Sequence, residues 1–89
     1  MVRKIIFSKH SLDQIDDRGA TKEEVKRTIQ EGERISAKEG RLAFRKNFLF
    51  TRVWKGKHYR IKQIMPIVVE EKDKFIVVTV YVFYFGGEG

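Results

Sequence analysis

Two histidines, His10 and His58, and the cations and hydroxyl groups around them are the side chains of this 89-residue chain best suited to chemistry. RNA cleavage without a metal needs a base for the 2′-hydroxyl proton, cations for the phosphate oxygens and an acid for the leaving 5′ oxygen. The chain offers candidates for all three roles, namely His10, Arg18, His58, Arg60, Lys62, Thr79 and Tyr81. The same residue types also serve plain nucleic-acid binding, so the sequence leaves both hypotheses open.

Other reaction classes find little support in the sequence. The absence of Cys excludes disulfides and thiolate chemistry. With two His and acids scattered among mixed charges, the chain has no pattern typical of a metal site. It also lacks a Gly-rich phosphate loop. We therefore expect neither a metal nor a cofactor.

The excess positive charge is confined to one segment. Residues 41–62 contain eight cations and no Asp or Glu, whereas the rest of the chain holds slightly more acids than cations. A basic segment on a near-neutral scaffold is typical of a polyanion binder, although a solubilising surface is the alternative. Aromatic residues for base stacking are interleaved, and the RNA-binding candidates are Arg45, Arg52, Lys57, Arg60, Lys62 and Thr79.

Two short helices are expected to position the N-terminal candidates. Ser8 suits the N-cap of a helix that runs to about Arg18, where Gly19 ends it. Thr21 and Glu24 form the capping-box pattern of a second helix that ends at Gly32. Their thin apolar stripes predict packing against a sheet.

The strands follow. Residues 3–7 predict a short edge strand, 33–40 a connector, and 75–85 a central strand, with Thr79 and Tyr81 together on one face. Lys55-Gly56 predicts a two-residue hairpin turn that places Arg52 opposite Tyr59, Phe50 opposite Ile61 and Val53 opposite His58. On the return strand, His58, Arg60 and Lys62 are expected to face away from the helices. The sequence thus predicts a single α+β domain over residues 1–89, with two helices on one face of a three- to four-stranded antiparallel sheet.

The N-terminal run FSKHSLDQIDDRGAT, followed by Glu23-Glu24-Val25, resembles the opening of domain-of-unknown-function family 4258, and Val78-Thr79-Val80-Tyr81 is similar to its closing strand. That family is grouped with RelE-like and barnase-like ribonucleases. The resemblance implies an RNA site on the open sheet face, with His10, Arg18, Thr79 and Tyr81 matching the family pattern and Gln14 replacing an Arg.

These observations lead to one main hypothesis. It is an RNA-binding domain similar to RelE-like toxins and a candidate metal-free endoribonuclease, in which His10 or His58 transfers protons, Arg18, Arg60 and Lys62 hold phosphate, and Tyr81 positions or stacks. A toxin of this type implies an acidic antitoxin partner and a target that includes ribosome-associated RNA. The short apolar runs and charged N-terminus predict a cytoplasmic protein.

The alternatives are a non-catalytic module that binds nucleic acid or an acidic protein, and an interaction domain that dimerises through the edge of its last strand. The sequence leaves the oligomeric state undetermined.

Overall fold

The computed structural model describes residues 3–36 and 38–87 and shows an α+β fold in which two helices pack on a five-stranded, mostly antiparallel open sheet. The elements in chain order are β1 (Lys4–Phe7), α1 (Lys9–Arg18), α2 (Lys22–Glu31), β2 (Glu33–Ser36), β3 (Arg41–Trp54), β4 (Lys57–Glu70) and β5 (Lys74–Phe85). The predicted fold class is confirmed. Among the described residues, no helix is both long enough and apolar enough to cross a membrane.

Both helices begin and end where the cap residues predict. The Ser8 hydroxyl accepts a hydrogen bond from the Ser11 amide, and Gly19 ends α1 in the left-handed conformation at φ 76°. Thr21 and Glu24 exchange the two side-chain to backbone bonds of a capping box, at 3.0 and 3.1 Å. These local contacts satisfy amides that the helices leave unpaired, which is why the helix bounds can be deduced from sequence.

The sheet has the order β1-β5-β4-β3-β2, with β1 parallel to β5 and all other pairs antiparallel. Two expectations were wrong. The central strand is β4 and not the apolar β5, and the expected connector contains β2, which pairs with residues 42–45 of β3. Both differences come from long-range pairing, which a single strand's composition does not encode.

The long β3–β4 hairpin determines where the basic segment lies. Lys55 and Gly56 form the predicted turn, both with positive φ, at 49° and 83°, as a type I′ turn requires. The predicted pairs of Arg52 with Tyr59 and of Val53 with His58 are confirmed. The predicted pair of Phe50 with Ile61 was wrong: Leu49 pairs with Ile61, because a bulge between Leu49 and Arg52, with Thr51 at φ 45°, adds a residue to β3.

The core lies between the helices and one face of the sheet. Ile15 of α1 and Val25 and Ile29 of α2 pack against residues of β4 and β5, namely Ile64, Val68, Val77 and Val80. A bulge at the β4–β5 pairing shifts the alternation of β5, so that Val77 and Val80 both face the core. Beyond this bulge, Thr79 and Tyr81 share the face that the helices leave uncovered.

Candidate nucleic-acid interface

Tyr84, near the end of β5, is the centre of an aromatic cluster at the turn end of the β3–β4 hairpin. Its ring stacks with Trp54 at a centroid distance of 5.1 Å and an interplanar angle of 18°. Phe50 and Tyr59 lie 5.2 and 5.5 Å from the same ring. The cluster joins the hairpin, which carries the basic segment, to the last strand.

Gly19 is the reason this cluster can approach α1 closely. A Cβ atom on Gly19 would lie 2.6 Å from both Trp54 Cζ3 and the Tyr84 hydroxyl oxygen, and φ of Gly19 is 76°. The Tyr84 hydroxyl donates a 2.7 Å hydrogen bond to the Arg18 carbonyl. Burial, and secondarily the Glu24 carboxylate, raise the pKa of Tyr84 above its ordinary value of 10.0, so this phenol is a poor candidate for a general base.

Cations line the hairpin around these rings. The ammonium groups of Lys55 and Lys57 each lie 5.5 Å from the centroid of an aromatic ring, Trp54 and Tyr59 respectively. We call the following residues the hairpin end: Arg52, Trp54, Lys55, Lys57, His58, Tyr59 and Arg60. All of its cations and His58 are exposed, and its two rings are half-buried. This end of the sheet therefore presents positive charge next to accessible aromatic surface.

A shallow cleft of about 660 Å³ runs beside the hairpin end. Its lining is mostly aromatic and apolar and consists of Trp54, Lys55, Tyr59, Gln63, Val82, Phe83, Tyr84 and Phe85. A second cleft of about 290 Å³ shares Trp54 and Lys55 with it and extends to Arg18 and Tyr81. The two clefts share five lining residues and are therefore adjacent, and we refer to them together as the groove.

Arg18 and Tyr81, both predicted site residues, are brought together. The Arg18 guanidinium carbon lies 5.7 Å from the Tyr81 ring centroid, and its Nη1 donates to the Val80 carbonyl at 2.7 Å. Tyr81 also stacks with Phe83 at 6.2 Å. Thr79 lies two residues away on the same face, opposite Ile67 of β4, and is half-buried.

The two histidines do not converge. His10 is in the first turn of α1, and the preceding Ser8 amide bonds to the Val77 carbonyl. His58 lies next to the hairpin turn, beyond the point where Ile61 pairs with Phe85. From Val77 to Phe85 the strand advances roughly 25 Å at about 3.3 Å per residue. His10 is thus at the opposite end of the sheet from His58 and from the basic groups of the hairpin end.

Lys62 faces the helices, and the expected orientation of this part of β4 was wrong. Its side chain is 8% exposed, and its ammonium lies 2.8 Å from Glu24 Oε2 and 3.0 Å from the Gly19 carbonyl. These partners compensate the cost of burying the charge, so the rule that cations avoid the core does not apply here. The neighbours of Lys62 in β4 therefore point to the uncovered face. This face is apolar, so the expectation of a basic face was wrong.

A second of the five cations predicted to bind RNA also has an acidic partner within the fold. Arg45 forms an ion pair with Glu33 of the neighbouring strand β2. Of the six predicted RNA-binding residues, Arg52, Lys57 and Arg60 are the ones that gather at the hairpin end. Sequence reasoning missed Lys55 and Tyr84 as site residues; Lys55 had a signal, because it occupies the turn inside the acid-free segment.

The described residues include no group of three or more His, Asp or Glu side chains placed to hold a metal ion.

Comparison with known families gives one match. The profile of a family described as "Domain of unknown function (DUF4258)" matches residues 7–82, which extends from the end of β1 to Val82 in β5. No curated protein and no solved structure matches the chain. Nothing in these comparisons links the chain to RelE-like ribonucleases.

Proposed function

Because the chain belongs to the DUF4258 family, whose description assigns no activity, we propose a function from the geometry of the hairpin end: it binds single-stranded RNA. One observation carries the proposal. Lys55 lies in the turn and Lys57 follows it. Their ammonium groups lie beside the half-buried rings of Trp54 and Tyr59. Phosphates and bases alternate along a single strand, and this surface offers a cation and an aromatic ring for each.

Charge supports a polyanion as the ligand. The hairpin end belongs to the segment without any acid, and its four cations Arg52, Lys55, Lys57 and Arg60 are all exposed. Each phosphate that these cations contact releases counterions, so the affinity should fall as salt rises.

Geometry supports a single strand. The groove beside the hairpin end is shallow and lined by rings, and bases can stack on such rings only when they are unpaired. RNA is the form that we propose because the family that the sequence resembles is grouped with RelE-like and barnase-like ribonucleases, and a cytoplasmic location is part of the same proposal. Single-stranded DNA of equal sequence is the comparison ligand.

Metal-free cleavage is the second candidate function, and the pairing of Arg18 with Tyr81 favours it. An arginine beside a tyrosine could hold and position a phosphate, and His58 is the one imidazole at the hairpin end. Because His10 lies at the opposite end of the sheet, the hairpin end has a single imidazole. We therefore place binding before cleavage. A RelE-like toxin activity, ribosome-associated RNA as its target and an acidic antitoxin that covers the hairpin end belong to this second candidate.

The test compares two variants with the same change in charge. Fluorescence anisotropy with a labelled mixed-sequence single-stranded RNA is measured for the native chain, for Lys55→Gln/Lys57→Gln and for Lys4→Gln/Lys72→Gln. The control lysines are exposed and lie at the opposite end of the sheet, where Lys4 pairs with Lys74. We expect the hairpin variant to bind roughly tenfold more weakly and the control to stay within about twofold of the native chain.

Equal losses in both variants, or no binding by the native chain, would remove the proposal. Incubating the same RNA with chelator tests the second candidate. Cleavage that His58→Ala abolishes while the anisotropy signal persists would assign His58 a catalytic role, and intact RNA with retained binding would leave the binding function alone.

A further inference from the structure

The face of the sheet opposite the helices is apolar and uncovered among the described residues. We define the open face by the residues of β4 and β5 that point away from the helices: Ile61, Gln63, Met65, Ile67, Val69, Ile76, Thr79, Tyr81, Phe83 and Phe85. Tyr81 is the one ionisable residue in this set. Phe83 is 41% exposed, and Leu49, next to Ile61 on β3, is 78% exposed. Both helices pack on the other side, and from α1 the Arg18 side chain reaches the ring of Tyr81 at the margin of this surface.

The open face is comparable in size with the largest apolar patches of monomers, which are often functional. Residues 61–69 extend over roughly 25 Å at about 3.3 Å per residue, and β3, β4 and β5 side by side are roughly 15 Å wide at about 4.8 Å per strand. The outer strands β1 and β2 widen it at one end, where Ile6 pairs with Ile76 and Ile35 with Ala43. Side-chain relief increases the accessible area further, towards the roughly 800 Å² per partner that a stable interface buries.

The exposed edge of β5 is blocked, in contrast to its face. At Val80, the outward amide donates to Gln14 Oε1 at 2.8 Å and the carbonyl accepts from Arg18 Nη1 at 2.7 Å. The helix α1 thereby occupies both outward backbone groups of Val80, which an added strand would need at this point of the edge. This contact disfavours the addition of a strand at Val80, and it does not involve the open face.

The charge of the open face selects its partner. The sheet positions around its centre are uncharged. At its border Arg45 pairs with Glu33, and the cations Arg41, Lys4 and Lys74 lie at the end away from the hairpin turn. At the centre an acidic or basic partner would find no complementary charge, whereas a second copy meets the same neutral apolar surface there. We propose that two copies of this chain pack open face to open face, which produces a four-layer α/β/β/α dimer.

This arrangement follows from sheet physics. Two apolar sheet faces pack about 10 Å apart, with their side chains interdigitated, and each removes the other's apolar surface from water. The interface is isologous, which means that both copies contribute the same face. Phe83 of each copy therefore lies in the interface. The inference goes beyond RNA binding. The groove beside the hairpin end shares Gln63, Phe83 and Phe85 with the open face, so RNA and a second copy would compete for this part of the surface.

Sedimentation velocity of the full chain over a wide range of concentration tests the dimer. We expect the mass to approach twice the 10.5 kDa of one chain as concentration rises. Phe83→Asp should raise the dimer dissociation constant by roughly tenfold or more, because the interface would bury an unpaired carboxylate. Thr79→Lys, at a half-buried polar position of the same face, should act in the same direction, and circular dichroism checks that both variants are folded.

Val53→Asp is the matched control. Val53 is 62% exposed, but it lies on the hairpin beside Gly19 and Thr21, away from the open face. This variant should dimerise like the native chain. A native mass of 10.5 kDa at every concentration, or equal dissociation of Val53→Asp and folded Phe83→Asp, would overturn the proposal. A monomeric native chain whose RNA binding is lost in Phe83→Asp would reassign the face to the nucleic acid.

Discussion

The ammonium of Lys62 lies 2.8 Å from Oε2 of Glu24, and the same carboxylate accepts the Thr21 amide in the capping box of α2. Lys62 also donates to the Gly19 carbonyl at 3.0 Å. One buried cation thus joins the middle strand of the sheet to the end of α1 and the beginning of α2. Lys62, which the sequence predicts to be an exposed phosphate contact, therefore stabilises the fold.

Lys62→Met should lower the free energy of unfolding by about 1–3 kcal/mol, because it leaves the Glu24 carboxylate and the Gly19 carbonyl without their partner. The side chain of Glu24 is 22% exposed, so water offsets part of the loss. Urea unfolding followed by circular dichroism measures the change. The exposed Lys57→Met is the control and should change stability by less than about 0.5 kcal/mol. Equal stabilities of the two variants would contradict the role assigned to Lys62.

Gly19→Ala should be more destabilising than Gly40→Ala, although both glycines have nearly the same positive φ, 76° and 74°. A Cβ on Gly40 would meet nothing within 4 Å, so that substitution carries only the backbone cost of about 1 kcal/mol. A Cβ on Gly19 would also collide with Trp54 and Tyr84, which brings the expected loss to roughly 2–4 kcal/mol. Thermal and urea unfolding of both variants measure the difference. Equal losses would mean that the aromatic cluster does not press on α1.

Tyr84→Phe should reduce the alkaline sensitivity of the fold. Burial raises the pKa of Tyr84 in the folded state, so the stability that the protonated phenol contributes is fully present below its ordinary pKa of 10.0 and is lost as pH rises towards the folded pKa. At neutral pH, the variant should lose about 0.5–1.5 kcal/mol with the hydrogen bond to the Arg18 carbonyl. Above pH 10 its stability should fall less steeply than that of the native chain. Parallel stability curves in urea unfolding from pH 8 to pH 11 would contradict this account.

The features that are encoded locally could be predicted from the sequence. Ser8, Gly19 and the Thr21–Glu24 box define both helices through contacts within four residues, and the turn at Lys55-Gly56 fixes the register of the hairpin tip. The position of β2 and the orientation of Lys62 could not be deduced in this way. Lys62 finds its partner Glu24 38 residues earlier in the chain, and without that partner its burial is unfavourable.

The same distinction between local and long-range features applies to the candidate site. The absence of acids between residues 41 and 62 located the basic hairpin, because net charge needs no knowledge of folding. The place of Tyr84 at the centre of the cluster requires a bulge in β3, a bulge at the β4–β5 pairing and the close approach of α1. The separation of His10 from His58 likewise depends on the direction of α1 along β5. These are tertiary relationships, and no motif in the sequence carries them.

The central claim is that single-stranded RNA binds at the hairpin end, and Trp54 is the one tryptophan of the chain. Its fluorescence should therefore report the site directly when an unlabelled single-stranded RNA is titrated into the protein at several salt concentrations. We predict saturable quenching, with an affinity that falls as salt rises and a salt dependence that becomes less steep by about 0.7 per cation removed in Lys55→Gln/Lys57→Gln. RNA that binds by anisotropy while the Trp54 emission stays constant would contradict the claim, because the ligand would then occupy another surface.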